Sequence, residues 1–471
     1  MLFNSIEFLI FLPIVFVLYW FVFNKNLKLQ NTFVLVASYL FYGWWDWRFL
    51  ILIIFTSLCS WLSGILIEKY RENGRTTRLI NAANIVLNLL ILGVFKYYDF
   101  FVQSFADVFL DGNSNGLLLH IILPVGISFY TFQALSYSID VYRNKLQPTK
   151  DIIQFFAFVA FFPQLVAGPI ERATNLLPQF ARQRSVNYEQ MTSGFRQALW
   201  GLFKKMVIAD NLAIYVNLVF NDVENYSGFP LIWAAIFFTF QIYADFSGYS
   251  DIAIGTARIF GFDLMTNFRQ PYLSRSIKEF WNRWHISLSS WFRDYVYIPL
   301  GGNRVSYVRI CLNLFITFTI SGLWHGANWT FVIWGAYYGI LLILEKIFRI
   351  KSYKPDDSFK IKHFFRVACT FVIVVAGWIL FRANSLSDVW YIYGNIFRFN
   401  SGIIGVPLVS VKTFIMLLLF VSLLFSADFC KQIVFKQNPK KILRYVIVGL
   451  LIAGIYVFGV FEEQSFIYFQ F

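Results

Sequence analysis

Charge is what this chain has least of. Only 14% of its 471 residues are Asp, Glu, Lys or Arg, against about 25% in soluble globular proteins. Too little charge is available to cover a water-facing surface, which excludes an ordinary soluble enzyme and a disordered chain alike. Cysteine is scarce too. Cys59, Cys311, Cys369 and Cys430 have no CxxC spacing and sit in or beside apolar runs, so neither a disulfide framework nor a metal site is expected. The chain has no Gly-rich phosphate loop and no His-Glu-x-x-His. Nucleotide-driven pumps and zinc proteases therefore lack their chemistry here. Residues 1–5 carry no basic n-region and no small-residue cleavage site follows the first apolar run, so that run is expected to stay as a span.

What the chain has is hydrocarbon: 58% hydrophobic and 21% aromatic residues, with 57 Phe and 15 Trp. They cluster in long runs at 6–23, 49–67, 79–95, 117–139, 231–243 and 329–344. A bilayer-spanning helix needs about 20 mostly apolar residues. The fold class is thus all-α, a polytopic transmembrane helical protein of about 11–12 spans with interfacial or re-entrant helices. The spans are expected near 6–23, 32–45, 49–67, 79–98, 117–141, 206–220, 230–257, 310–324, 329–348, 364–381, 411–427 and 445–460. A closed β-barrel would instead show short alternating segments.

The net charge of +14 becomes informative once it is located. One alternate set of connections between these spans holds 33 Lys and Arg and the other holds 3. The positive-inside rule then puts both termini outside and the basic connections in the cytoplasm. No nucleic acid is needed to explain the charge. Two stretches do not fit simple spanning. Within 152–205, the apolar stretch 152–167 is interrupted by Pro163 and, just beyond it, Pro169, and 258–309 are too polar to span and too aromatic for a solvated loop. Both are expected as cytoplasmic-side re-entrant or interfacial helices of one membrane-embedded domain, 1–471.

Within 275–297, Ile277, Trp281, Trp284, Leu288, Trp291 and Tyr295 recur at alternating spacings of 4 and 3. That is the stripe of an amphipathic helix lying in the membrane interface, if it is continuous. Arg275, Asn282 and Arg293 fall opposite, with Lys278 nearby. This basic face either anchors the helix to anionic lipid or captures a phosphate-rich ligand. His285 borders the apolar face, as a structural hydrogen-bonder or as part of a site. His325 lies in a very short, glycine-flanked connection between two spans. An ionisable group there is expensive to keep, and imidazole suits proton transfer near neutral pH. Its bland alternative is a hairpin His facing outside water. Asp245, Ser247, Tyr249 and Asp251 interrupt an apolar run and must face a cavity or polar partners, with interhelical hydrogen bonding the simpler reading. His120 and His363 carry no such signal.

Four blocks together resemble the membrane-bound O-acyltransferase superfamily, in particular its bacterial alginate O-acetyltransferase branch. They are Phe161-Phe162-Pro163-Gln164-Leu165-Val166-Ala167-Gly168-Pro169-Ile170, the stretch from Tyr243 to Asp251, Glu279-Phe280-Trp281-Asn282-Arg283-Trp284-His285-Ile286-Ser287 running on to Pro299-Leu300-Gly301-Gly302-Asn303-Arg304, and Leu323-Trp324-His325-Gly326. The terminal Phe466-Ile467-Tyr468-Phe469-Gln470-Phe471 is similar to that branch as well. The resemblance implies that superfamily's multi-helix fold, His325 as the principal catalytic residue and His285 as the second signature position. It also implies acetyl-CoA as acyl-donor substrate with no metal or prosthetic group, and a polysaccharide hydroxyl outside the cytoplasmic membrane of a bacterial cell as acceptor. Transfer would be direct or through a periplasmic esterase-like acetyltransferase or a polysaccharide synthase complex. On the basic face, Lys278 with Arg283 or Arg293 is expected to hold the phosphates of coenzyme A. The competing class is a transporter or channel component of a polysaccharide export complex; no repeated halves support it.

Overall fold

The computed structural model describes residues 1–471 apart from 113, 115, 167, 352, 354–362, 400–408, 435–440, 463, 465 and 468–471. Position 167 of the first block, most of the 351–362 connection, the side chain of Cys430 and the terminal 468–471 therefore lie outside the described residues. Every regular element among the described residues is helical. In chain order these are α1 (Ile6–Val17), α2 (Leu27–Gly43), α3 (Leu50–Lys69), α4 (Gly74–Phe109), α5 (Ile127–Tyr142), α6 (Ile152–Ala160), α7 (Phe162–Leu165), α8 (Ala173–Phe180), α9 (Tyr188–Phe203) and α10 (Asp210–Phe220). There follow α11 (Phe229–Ile259), α12 (Ile277–Arg283), α13 (Ile286–Phe292), α14 (Tyr307–His325), α15 (Trp329–Ile347), α16 (Phe364–Arg382), α17 (Leu386–Asn395), α18 (Val411–Val434) and α19 (Lys441–Phe458). Many starts are set by a side-chain oxygen that accepts an otherwise orphaned N–H: Asn26, Asn73, Asp151, Ser276, Asn328 and Ser385.

Among the described residues, six helices are long and apolar enough to cross a bilayer: Trp47–Lys69, Gly74–Phe109, Phe229–Ile259, Tyr307–His325, Trp329–Ile347 and Phe364–Arg382. Ile6–Val22, Ile152–Leu165, Val411–Ala427 and Ile442–Phe458 are apolar but shorter. A helix of about 17 residues stands at the short end of the spanning range. Large apolar side chains stay exposed on these helices, among them Leu9, Leu90, Phe101, Val308 and Val372, as a lipid-facing surface requires. The chain is a multi-pass membrane protein.

The chain divides into two compact units. One comprises 1–198 with 252–265. In it α3 packs against α4 and α5, and α2 against α6. A polar ladder holds helices together where neither water nor a hydrophobic drive is available: Ser60 donates to Asn84 at 3.3 Å, and Asn84 donates to Ser138 at 2.9 Å. The span expected at 117–141 becomes helical only at Ile127. Pro124 disfavours helix at the residue before it, and Gly126 turns the chain with φ 75°, where a side chain would press on the Leu165 carbonyl. The apolar stretch from 152 breaks at Phe161, which leaves α6 and α7 with 9 and 4 residues, both too short to span.

The other unit comprises 199–251 with 266–471. Its spine is the α14–α15 hairpin, joined by three residues. The interfacial helix expected over 275–297 is not continuous. It consists of α12, α13 and a π-turn at Arg293–Tyr297, with a break at Trp284–His285. Its apolar stripe faces protein instead of bilayer: Ile277, Trp281, Trp284, Leu288 and Trp291 are all buried. A 3,4 spacing specifies that a face is covered, not what covers it.

Candidate active site

His325 is the last residue of α14, and Gly326 leaves the helix in an extended conformation. Asn328 then accepts from Thr330 N at 3.0 Å to start α15. Gly322 on α14 and Gly335 on α15 serve backbone approach, while Gly326 makes room for the Phe331 ring. A Cβ at Gly322 would lie 2.2 Å from the Phe331 carbonyl oxygen, and one at Gly335 would lie 2.3 Å from that of Phe318. The hairpin therefore closes tightly and carries His325 inward, 3% exposed, not out to water. The imidazole sits edge-on among Trp324, Trp334 and Phe381, with ring centroids 5.1, 5.0 and 5.3 Å away.

His285 occupies the break itself. Its backbone is left-handed, φ 42° and ψ 54°, as residue before α13. That conformation costs an L-residue roughly 1–2 kcal/mol. Two hydrogen bonds to the preceding irregular segment clamp the break: Arg269 N to the Arg283 carbonyl and Ile286 N to the Asn267 carbonyl, both 2.9 Å. The side chain is fully buried. Its Nδ1 lies 3.1 Å from Asn267 Oδ1, and the Phe246 ring stands edge-on at 4.5 Å. Burial lowers its pKa to about 3, so it is a neutral imidazole near pH 7. Trp324 lies 6.2 Å from His285 as well as 5.1 Å from His325. Forty positions apart in sequence, the two histidines meet across one indole.

A cavity of about 760 Å³ is lined by residues close to both in the chain, though not by the imidazoles themselves. Ile286, the neighbour of His285, lines it, as does Ser321, one helical turn before His325. Trp281, Asn282 and Thr317 continue the wall, while Lys278, Arg293, Lys346 and Arg349 make it basic. The buried indole Nε1 of Trp281 has no hydrogen-bond partner among the described residues. Arg283, expected beside Lys278 and Arg293, is placed differently. It is buried against Glu279, at 2.8 Å, and also donates to the Arg269 carbonyl. Glu279 binds Arg275 at 2.7 Å as well. Burial alone would raise its pKa, but the two guanidiniums overcome this and hold it below the ordinary 4.5. Glu345 accepts from the first N–H groups of α12, Ile277 and Lys278, at 2.5 and 3.0 Å, the anion a helix start favours. His120 is exposed, and His363 packs against the Tyr353 ring.

Sequence reasoning missed one cluster. Lys204 and Lys205 had been counted with a basic connection, yet both are buried. They open a π-turn, Lys204–Ala209, where a span was expected to start. Lys204 pairs with Asp251 at 2.6 Å; Lys205 pairs with Asp210 at 2.8 Å and Asp245 at 2.9 Å. These are the partners that Asp245 and Asp251 required. Two adjacent lysines directly before an apolar run, together with carboxylates inside another, were the available signal. The cluster reaches the site: Ser250, beside Asp251, accepts from Asn267 Nδ2 at 3.1 Å, and Asp245 accepts from Ile467 N at 2.8 Å.

Residues 144–386 match the family model of the membrane-bound O-acyltransferase family. The chain is 41% identical over 403 residues to a probable alginate O-acetylase of Pseudomonas aeruginosa, covering 85% of this chain and 76% of that one. It is 34% identical over 417 residues to a peptidoglycan O-acetyltransferase of Helicobacter pylori, covering 82% and 78%. A teichoic acid D-alanyltransferase of Bacillus subtilis is 27% identical over 273 residues, 55% of this chain and 69% of that protein.

Proposed function

Because the chain belongs to the membrane-bound O-acyltransferase family and is an O-acyltransferase, we propose that it moves an acetyl group from cytosolic acetyl-CoA to a hydroxyl of a polysaccharide outside the bacterial inner membrane. The transfer is direct, or passes through a periplasmic esterase-like partner or a polysaccharide synthase complex. The relatives' names point the same way, since alginate, peptidoglycan and teichoic acid are all hydroxyl-bearing cell-surface polymers. The observation that carries the reading is the meeting of His285 and His325 at Trp324, beside a cavity with a basic wall.

In this mechanism the coenzyme A phosphates are held by Lys278 and Arg293, with Lys346 and Arg349 near them. The thioester reaches past Thr317 and Ser321 towards the histidines; Ser321 lies about 6 Å along α14 from His325 at the rise of a helix. His325 accepts the proton of the acceptor hydroxyl as its oxygen attacks the thioester carbonyl. The C–O bond forms, the C–S bond breaks, and the thiolate takes the proton from His325 to leave as the free thiol of coenzyme A. The developing oxyanion needs donors already in place. Asn282 and the Trp281 indole N–H, both on the cavity wall, supply them. His285, neutral and bound through Nδ1 to an acceptor, offers a lone pair to a neighbouring hydroxyl of the acceptor sugar and so orients the attacking one.

The test is reconstitution. Purified protein in liposomes, with labelled acetyl-CoA on one side and the polymer or its partner on the other, should release free thiol in step with acetyl ester. Ester formation that needs no acetyl-CoA would overturn the donor assignment.

A further inference from the structure

Catalysis by His285 depends on which ring nitrogen carries the proton. The surroundings of Asn267 decide this. The backbone N–H of Ser287 points at Asn267 Oδ1 at 3.3 Å, and the Ser287 hydroxyl donates to the same oxygen at 2.9 Å. A backbone N–H can only donate, so that end of the Asn267 amide must be its oxygen. The other end donates to Ser250 Oγ at 3.1 Å, as an NH₂ group should. With both ends of the amide fixed, His285 Nδ1 at 3.1 Å from the same oxygen must be the donor. The proton sits on Nδ1 and the lone pair on Nε2.

Three features hold this arrangement. Asn267 is 1% exposed and His285 and Ser287 are 0% exposed, so no water competes. The Asn267 carbonyl also accepts from Ile286 N, which ties both ends of the lock to one short stretch of backbone. The left-handed backbone of His285 aims its ring at that stretch, and an observed outlier of this kind is a reason to look for function.

We propose that Asn267 is a positioning residue that locks His285 in its Nδ1–H tautomer, with Ser287 and Ser250 holding the amide in register, so that Nε2 is always presented as an acceptor. This rests on the role given to His285 above. It also excludes His285 as a donor to the oxyanion. The charged groups on the elements around it are Lys204 with Asp251 and Lys205 with Asp245 and Asp210 on the π-turn, α10 and α11, Glu279 with Arg275 and Arg283 at α12, and His325 on α14. The lysines, arginines and carboxylates among them are in ion pairs.

The test combines spectroscopy and kinetics on the full chain in nanodiscs. The chain has four histidines, so nitrogen-15 histidine spectra can be assigned by subtracting His285→Asn. Wild-type His285 should show a protonated Nδ1 and an unprotonated Nε2 from pH 5 to 8. Asn267→Ala should lower kcat about 10- to 100-fold, the range for losing a partner that orients an imidazole, with the KM for acetyl-CoA within about 2-fold, because that pocket is built elsewhere. In a His285→Asn background the same substitution should add little, since there is no tautomer left to set. Asn267→Asp keeps the acceptor but adds a charge that favours imidazolium. Its kcat should approach wild type at high pH and fall as pH drops through the raised His285 pKa, an acid limb that a merely structural residue would not create. A protonated Nε2 in the wild-type spectrum overturns the proposal without any variant. So does an unchanged kcat in Asn267→Ala when His285→Ala is impaired. Full activity in His285→Ala would instead overturn the role of His285, and with it the kinetic part of the proposal.

Discussion

Replacing Glu279 with Gln should destabilise the protein more than almost any other single polar change in the unit that holds the histidines. The carboxylate is 0% exposed, and Arg275 and Arg283 beside it are 3% and 5% exposed. It accepts from Arg275 N, Nε and Nη2 and from Arg283 Nε and Nη2, at 2.7 to 3.0 Å. Gln keeps the shape but leaves two buried guanidinium charges without their anion. Breaking a buried pair from one side costs about 3–5 kcal/mol. Unfolding free energies from SDS titration in mixed micelles would read this directly. Adding Arg283→Gln should recover part of the loss, because it removes one uncompensated charge. The pH dependence has a defined sign. Glu279 has a lowered folded-state pKa, so its stabilisation is complete above the ordinary 4.5 and is lost as pH falls through the folded value. The wild type should therefore weaken in acid more steeply than Glu279→Gln. A loss below about 1 kcal/mol, the level of an exposed pair, or a double variant weaker than Glu279→Gln, would refute the reasoning.

Three further outcomes are expected. His285→Ala should lose most activity while His285→Asn keeps more of it, because an amide oxygen can still accept a hydrogen bond; His120→Ala and His363→Ala should stay near wild type in the same acetyl-transfer assay. Lys278→Ala and Arg293→Ala should each raise the KM for acetyl-CoA several-fold with kcat nearly unchanged, the signature of lost ground-state binding; an unchanged constant in both would make this basic wall a lipid anchor. In a background without native cysteines, Gly74→Cys should resist an impermeant external thiol reagent and Glu224→Cys should react; both positions are exposed, and external labelling of Gly74→Cys would reverse the orientation.

How much of this was legible depends on the residue. The α14–α15 hairpin could be read from two apolar runs separated by Gly-Ala-Asn, and His325 from its position there. The glycines beside His325 were expected to permit close approach of a substrate or another backbone; the neighbour is the Phe331 carbonyl at Gly322 and the Phe331 ring at Gly326. Periodicity failed at His285. Apolar spacing continues straight through the break, because α12 and α13 both bury the same stripe, and a single left-handed residue leaves no mark on a 3,4 pattern. Charge counting failed at Lys204 and Lys205. A tally assigns a lysine to a loop by its place in the chain, whereas Asp210, Asp245 and Asp251 hold these two in the interior. Asn267 gave no signal at all, being one polar residue in an irregular segment 18 positions before the ring it touches.

The most direct measurement is the acetyl-transfer rate of His325→Ala in liposomes, alongside its binding of acetyl-CoA. A general base at the centre of the reaction is worth about 10²–10⁴ in rate. The account predicts a variant that inserts, keeps its fold and binds acetyl-CoA as the wild type does, yet transfers acetyl at least about a hundredfold more slowly. Transfer at the wild-type rate would contradict it.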